Sequence, residues 1–190
     1  MKSLLNLMIA ASLLFSCSNN GTGKQVDGSD QALTTAVDTS KKSITTQVSK
    51  QVGSTDININ YHAPAVRGRV IWGGLVPYDE VWVTGAHKAT SLEVGKDFTI
   101  GETQIPGGKY AIFTIPGKDE WTVIINKNWN QHLTDSYSEK DDVARLKVKP
   151  QTMDGNAERL KYDVEQTGEK TAEIIVSWER IRVPFRIEIN

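Results

Sequence analysis

Short runs of alternating apolar and polar residues recur from about residue 55 to residue 189. A period of two places the apolar side chains on one face of a β-strand and the polar side chains on the other. No stretch shows a sustained helical period, so we predict an all-β fold with little helix: a single antiparallel β-sandwich or a barrel-like variant of it. The residues predicted to face inward are Ile57, Ile59, Tyr61, Trp121, Val123, Ile125, Leu160, Tyr162, Val164, Ala172, Ile174, Val176, Trp178, Val183, Phe185, Ile187 and Ile189.

Other segments add detail to this sandwich. Residues 109–115 lie between Pro-Gly turn sequences and are apolar on both faces, which predicts a central strand covered on both sides. Residues 67–72 and 81–84 also alternate, and we predict a strand in each. Pro184 lies inside the last run, where proline indicates an edge strand or a bulge.

The first residues have the features of a bacterial lipoprotein signal peptide. Lys2 precedes an apolar run at residues 4–15, which is too short to cross a bilayer because that needs about 20 apolar residues. The run ends in Leu-Phe-Ser followed by Cys17, which resembles the lipobox in which cysteine is lipidated and becomes the N-terminus. Cys17 is the only cysteine in the chain, so a disulfide within the chain does not explain it. We predict a signal peptide at residues 1–16, lipidation at Cys17, and a place in the bacterial cell envelope, on the outer membrane because no Asp follows Cys17.

Composition divides the rest of the chain in two. Residues 17–43 are rich in Gly, Ser, Thr, Asn and Asp, and such a segment cannot bury enough apolar surface to offset its chain entropy. We predict a lipidated N-terminus and flexible tether there, and one β-sandwich domain over residues 44–190. The chain has 22 Lys and Arg against 23 Asp and Glu, a balance that indicates no nucleic-acid partner.

Ordered blocks of residues in the predicted domain resemble one bacterial family. The blocks are RGR at 67–69, GLVPY at 74–78, VW at 81–82, TGA at 84–86, AT at 89–90, PGGKY at 106–110, FTIP at 113–116, EWTVI at 120–124, DVAR at 142–145 and WE at 178–179. By this resemblance the chain is identified as a member of the domain-of-unknown-function 2911 family over roughly residues 44–190. The resemblance implies a secreted or lipid-anchored β-sandwich, and it implies no established activity.

The chain departs from the family's pattern directly after Trp82. The usual sequence there is Arg-Thr-Gly-Ala-Asn-Glu-Ala-Thr, and this chain has Val83, His87 and Lys88 in place of the Arg, Asn and Glu. If members of the family share a ligand, this change of an acid to a base implies a variant ligand or a lost site.

Aromatic and basic residues are concentrated at residues 67–90, where we expect a binding site. Trp72, Tyr78 and Trp82 have large faces with polar tips that suit sugar or peptide pockets. The alternative is that both tryptophans fill the core and Tyr78 caps a corner. The Arg67 and Arg69 side chains would bind a carboxylate or phosphate, or else pair with nearby acids. The predicted ligand-binding residues are Arg69, Tyr78, Trp82, His87 and Lys88.

Histidine chemistry is the second candidate. The spacing of His62, His87 and His132 matches no compact metal-ligand motif, so we predict no metal and no other cofactor. His87 is the candidate general base of an enzyme, provided that a further group orients its imidazole; otherwise it is a solvated loop histidine. The acidic pair at residues 141–142 is better explained by a helical turn than by a cation site.

These observations leave three functions open. The first is a non-catalytic envelope lipoprotein that binds a small molecule, glycan or envelope protein through residues 67–90, with Trp72 or Trp82 partly exposed in a concave patch. The second is a hydrolase or isomerase that uses His87. The third is a structural or assembly module of an envelope complex, with an apolar patch or a bare strand edge. In each of them Cys17 would attach the chain to a membrane.

Overall fold

The computed structural model describes residues 42–190, so Cys17 and the predicted signal peptide lie outside the described residues. The described part is almost entirely β-structure in two antiparallel sheets, which confirms the predicted all-β sandwich. No helix within it is long and apolar enough to cross a membrane. The strands are β1 (Ser43–Val52), β2 (Thr55–Pro64), β3 (Thr90–Val94), β4 (Phe98–Ile100), β5 (Thr103–Ile105), β6 (Gly108–Ile115), β7 (Trp121–Asn126), β8 (Asp142–Val148), β9 (Gln151–Gln166) and β10 (Thr171–Ile189).

One sheet has six strands in the order β1-β2-β3-β6-β7-β8, and the other has four in the order β5-β4-β10-β9. β1 and β2 form a full-length hairpin from Ser43 opposite Pro64 to Val52 opposite Thr55. β6 lies between β3 and β7, so the prediction of a central strand at residues 109–115 is confirmed. The six-stranded sheet therefore has β1 and β8 at its edges.

The inward faces of the two sheets build one core. On β2, for example, Ile57 and Ile59 are fully buried while Asn58 and Asn60 between them face outward and are half-buried. Residues predicted to face inward on β2, β7, β9 and β10 all lie in this core. The alternation in the sequence thus gave the correct face for each of these strands, because one face of each is packed against the opposite sheet.

β10 is a single strand of 19 residues where the sequence suggested two runs. Its inward residues are even-numbered up to Trp178 and odd-numbered from Val183 onward. The pairing with β9 shifts register on both sides of Glu179, whose φ is +55°. A bulge inserts one unpaired residue, which changes the parity of the face that points inward.

Pro184 does not lie on an edge strand, since β10 runs between β4 and β9. The last β10 residue paired with β9 is Arg182, and the first paired with β4 is Ile187. Pro184 occupies the interval between these two pairings, where a missing backbone N–H removes no ladder hydrogen bond.

The strands predicted at residues 67–72 and 81–84 are wrong. Residues 66–89, which we call the signature loop, contain turns and three isolated bridges: Trp72 with Val76, Trp82 with Thr114 and Lys88 with His132. The backbone φ is positive at Arg67, Asp79, Thr84 and His87, a conformation that interrupts an extended strand. The alternation that suggested strands here belongs to consecutive tight turns.

The signature loop lies over part of the outer face of the six-stranded sheet. Its residues Val83 and Ala89 are buried in a second, smaller core with Ala111, Phe113 and Ile124 of β6 and β7. Residues 127–141, which we call the covering loop, add Tyr137 to this cluster at its edge. This half of the sheet is therefore covered on both faces, as the apolar character of β6 indicated.

Candidate functional site

A cavity of about 380 Å³ opens between the signature loop, the start of β1 and β10. Most of its wall is apolar and includes Leu75, Val76, Trp82, Val83, Leu133 and Trp178. Three basic side chains, Lys42, Arg69 and His87, also line it, and none of the lining residues in the described chain is acidic. An apolar cavity with basic groups at its wall has the chemistry to hold an apolar molecule that carries a negative charge.

Four tryptophans pack around the inner end of this cavity. Trp82 and Trp178 are stacked, with ring centroids 5.7 Å apart and an interplanar angle of 18°. Trp72 meets both of them edge-on at 5.8 and 5.9 Å and meets Trp121 at 5.0 Å. Trp178 is buried, whereas Trp82 is only partly buried and forms part of the cavity wall. The aromatic wall is therefore a rigid extension of the core.

Two of these indoles have buried N–H groups without acceptors. The Nε1 atoms of Trp72 and Trp178 have no hydrogen-bond partner within residues 42–190. A buried donor left unpaired costs about 1–3 kcal/mol. Trp178 lines the cavity, but its indole nitrogen is itself buried, so this unpaired donor belongs to the core and not to the cavity surface.

Arg69 is held at the cavity by backbone carbonyl groups. Its Nε donates to the Val66 carbonyl oxygen at 3.1 Å, and its Nη2 donates to the Ala65 carbonyl oxygen at 2.5 Å. Carbonyl oxygens are neutral, so these bonds orient the guanidinium without neutralising its charge. Within the described residues Arg69 forms no ion pair, and its Nη1 group has no acceptor.

A buried polar cluster fixes the turn between Trp82 and His87. Thr84 is fully buried and has a φ of +50°, which is rare for a β-branched residue. Its hydroxyl lies 3.0 Å from that of Thr114, and its carbonyl oxygen accepts hydrogen bonds from the hydroxyl groups of Thr90 and Tyr162, each at 3.0 Å. Burial raises the pKa of the Tyr162 hydroxyl far above its usual range, so that group stays a donor.

The side chain of His87 lies beside that of His62, with ring centroids 5.3 Å apart. Burial, and after it the electrostatic interactions with His87 and Lys88, lower the pKa of His62. Within the described residues, the His87 ring forms no hydrogen bond with a carboxylate or a tyrosine. The general-base hypothesis therefore lacks its orienting group in this part of the protein.

Two of the predicted ligand-binding residues lie away from the cavity. The ring of Tyr78 lies against Gly73, where an added Cβ would come within 3.0 Å of Tyr78 Cε2. Lys88 faces a separate hollow on the other side of His62. The structure thus brings Arg69, Trp82 and His87 together at one cavity and places Tyr78 and Lys88 elsewhere. Among residues 42–190, no three His, Cys, Asp or Glu side chains lie close enough to hold a metal ion.

Asp142 fixes the covering loop, whose Leu133 lines the cavity. The Asp142 carboxylate accepts hydrogen bonds from Asn126 Nδ2 at 2.7 Å and the Tyr137 hydroxyl at 2.8 Å, and it pairs with Arg145 Nε at 3.0 Å. Burial and the Asp142 carboxylate raise the pKa of Tyr137 to about 12. The turn expected at residues 141–142 is a single 3₁₀ turn at Glu139–Asp141, directly before β8.

Residues 43–187 match the model of a protein family described as "Protein of unknown function (DUF2911)". The chain belongs to this family. No curated protein and no solved structure matches the chain. The match begins at Ser43, the first residue of β1. Because the family's description states no activity, a function has to be argued from the geometry of the cavity.

Sequence reasoning missed several residues that line this cavity. Lys42 and Leu133 reach it from segments far from the signature loop, and no local pattern marks them. Trp178 was predicted as a core residue, and it is both fully buried and part of the cavity wall. Of these residues only Trp178 was marked by a sequence pattern, the WE block at residues 178–179.

Proposed function

We propose that this protein is a non-catalytic envelope lipoprotein that binds a small amphipathic anion, an apolar molecule with a carboxylate, in the cavity beside Trp82. The supporting observation is the combination of an apolar, tryptophan-lined cavity with Lys42, Arg69 and His87 in its wall. The apolar part of the ligand would cover Trp82 and Leu133, while its carboxylate would pair with Arg69.

Both the apolar part and the carboxylate of such a ligand would contribute to the free energy of binding. Removing apolar surface from water contributes about 25 cal/mol per Å². A hydrogen bond to a charged group contributes roughly 1.5–3 kcal/mol, and the Arg69 guanidinium is already oriented by two backbone carbonyls, so little further ordering is needed.

A fatty-acid titration tests this proposal. We expect decanoate to change the intrinsic tryptophan fluorescence of the purified protein, because Trp82 and Trp178 line the cavity. Decanol should bind more weakly, since it lacks the charge. Arg69→Gln should weaken decanoate binding by roughly tenfold to a hundredfold through the lost charged hydrogen bond, and it should leave decanol binding nearly unchanged.

Arg186→Gln is the matched control, because it removes the same charge from an exposed residue that pairs with Glu188 and does not line this cavity. If Arg186→Gln lost the same affinity for decanoate, the loss in Arg69→Gln would come from the change in net charge and not from the cavity. Equal binding of decanoate and decanol, or no fluorescence response to either, would contradict the proposal.

We further propose that Cys17 carries the lipid anchor and that the residues between Cys17 and the domain tether it to the outer membrane. The apolar run and the Leu-Phe-Ser-Cys sequence support this. Two or three acyl chains, at about 0.8 kcal/mol per buried CH₂, would make membrane attachment almost permanent. Mass spectrometry of the mature protein should find an acylated N-terminal cysteine, and Cys17→Ala should leave the protein in the soluble fraction. An unmodified Cys17 in the mature protein would refute the anchor.

A further inference from the structure

The outer face of the six-stranded sheet is only half covered. The signature loop and the covering loop lie over β6 and β7, whereas the outward side chains of β1 and β2 remain accessible. Thr45, Gln47 and Ser49 are exposed on β1, and Asn58 and Asn60 are half-buried beside them on β2. This open area, which we call the amide face, consists mainly of neutral hydrogen-bonding side chains, with the charged Asp56 exposed at the start of β2.

The side chains of the amide face are only partly engaged with one another. Ser49 donates to Asn58 Oδ1 at 2.7 Å, while the side chain of Asn60 makes no hydrogen bond within residues 42–190. At the β3 and β6 border the charges of Glu93 and Lys109 lie 3.5 Å apart and offset each other. Asp56 and Lys96 also line the larger hollow and carry opposite charges, and Lys88 lines the smaller one, so the net charge is small and unused donors and acceptors remain.

Trp129 stands at the border of the amide face. It belongs to the covering loop, it is 39% exposed, and Lys109 Nζ lies 4.4 Å from its ring centroid. It lines a hollow of about 160 Å³ together with Asn60, His62 and Ser91. A large aromatic side chain exposed to this extent beside free amide groups differs from Trp121 and Trp178, which are buried in the core.

A second hollow, of about 570 Å³, continues from the first along the same strands. Asn60 of β2 pairs with Ser91 of β3 at the first hollow. Two residues along β2, Asn58 pairs with Glu93 at the second hollow, so these two pairs are successive rows of side chains on the outward face. Rows two residues apart along a strand are separated by about 7 Å. The two hollows therefore lie on neighbouring rows of the same strands, and we call them together the groove.

We propose that this groove binds a neutral oligosaccharide, with Trp129 as the platform on which a sugar ring stacks. Sugar rings have apolar C–H faces that stack on an indole, and their hydroxyl groups both donate to and accept from side-chain amides such as Asn60 and Asn58. The two hollows have Asp56 and Glu93 against Lys88, Lys96 and Lys109 in their linings, a mixture of charges that gives no strongly basic surface for a nucleic acid. A protein partner would need an apolar centre to the interface, and Trp129 is the one large exposed apolar side chain among the described residues that line either hollow.

Affinity electrophoresis and calorimetry with the purified protein test this assignment. The probes are soluble neutral oligosaccharides and polysaccharides of glucose, xylose, mannose and N-acetylglucosamine. We expect at least one to be bound, and we expect Trp129→Ala to weaken that binding by about tenfold through the lost stacking. Asn60→Ala should weaken it by about fivefold, the effect of one hydrogen bond, and Trp129→Phe should restore part of the affinity.

Asn156→Ala is the matched control, since Asn156 is an exposed amide on β9, which belongs to the other sheet. Thermal unfolding checks that each variant is folded. The proposal is overturned if no probe binds at millimolar concentration, if Trp129→Ala binds like the wild type, or if Asn156→Ala weakens binding as much as Asn60→Ala. Arg69→Gln should leave sugar binding unchanged and Trp129→Ala should leave decanoate binding unchanged, so the two sites can fail separately.

Discussion

Trp178→Ala is expected to lower the free energy of unfolding by about 3–5 kcal/mol, the cost of truncating a large buried aromatic side chain. Trp178 is 1% exposed, is stacked on Trp82, and contacts Trp72. Its removal would leave a void between the two sheets that these rigid neighbours cannot fill. Urea denaturation followed by circular dichroism measures the loss.

Trp178→Phe is the control for this experiment. It keeps an aromatic ring in the core and gives up an indole N–H that has no acceptor among the described residues, so we expect a loss of only about 1–2 kcal/mol. A loss below about 1 kcal/mol for Trp178→Ala would mean that this tryptophan is not packed in the core as described.

Asp142→Ala is expected to lower the free energy of unfolding by about 2–3 kcal/mol, because it leaves several buried or half-buried donors without their acceptor. Asn126 is fully buried and donates to this carboxylate, as does the Tyr137 hydroxyl. The ion pair with Arg145 would be lost too, but Arg145 is partly exposed and that loss is screened by solvent. Denaturation midpoints measure the effect.

Asp141→Ala is the matched control for Asp142→Ala. Asp141 is the neighbouring carboxylate, and its side chain makes no hydrogen bond within the described residues. We expect its free energy of unfolding to stay within about 0.5 kcal/mol of the wild type. Similar losses in both variants would show that the carboxylate network of Asp142 does not fix the covering loop.

Much of the sandwich could be predicted from the sequence, because its strands bury one face. The runs around Ile57, Trp121 and Tyr162 alternate with a period of two, and each lies in a strand with the predicted face inward. The run in β10 was divided in two because the bulge at Glu179 reverses the alternation. A single-sequence pattern cannot distinguish a bulge inside one strand from a turn between two.

The signature loop could not be predicted in the same way. Its turns depend on positive φ at residues such as Thr84 and His87, for which the sequence gives no rule, since threonine normally avoids that region. The conformation of Thr84 is held by bonds to Thr114 and Tyr162, which are distant in sequence. Local alternation therefore suggested strands where tertiary hydrogen bonds impose turns.

The candidate sites were predictable only in part. The segment at residues 67–90 was singled out for its aromatic and basic composition, and it supplies Arg69, Trp82 and His87 to the cavity. Trp129 was not singled out, because its role depends on the outward rows of β1 and β2 lying beside the covering loop. Only the sheet order brings these segments together, and the sequence does not reveal that order.

The order of the strands also decides when this protein can fold during its synthesis. β4 and β5 join the four-stranded sheet only through β10, which follows every other strand along the chain. Until residues 171–189 have been made, β9 and the β4–β5 hairpin are not joined into a sheet that covers the apolar side of the larger one. Ribosome-bound intermediates should therefore stay open and accessible to chaperones until the last strand is made.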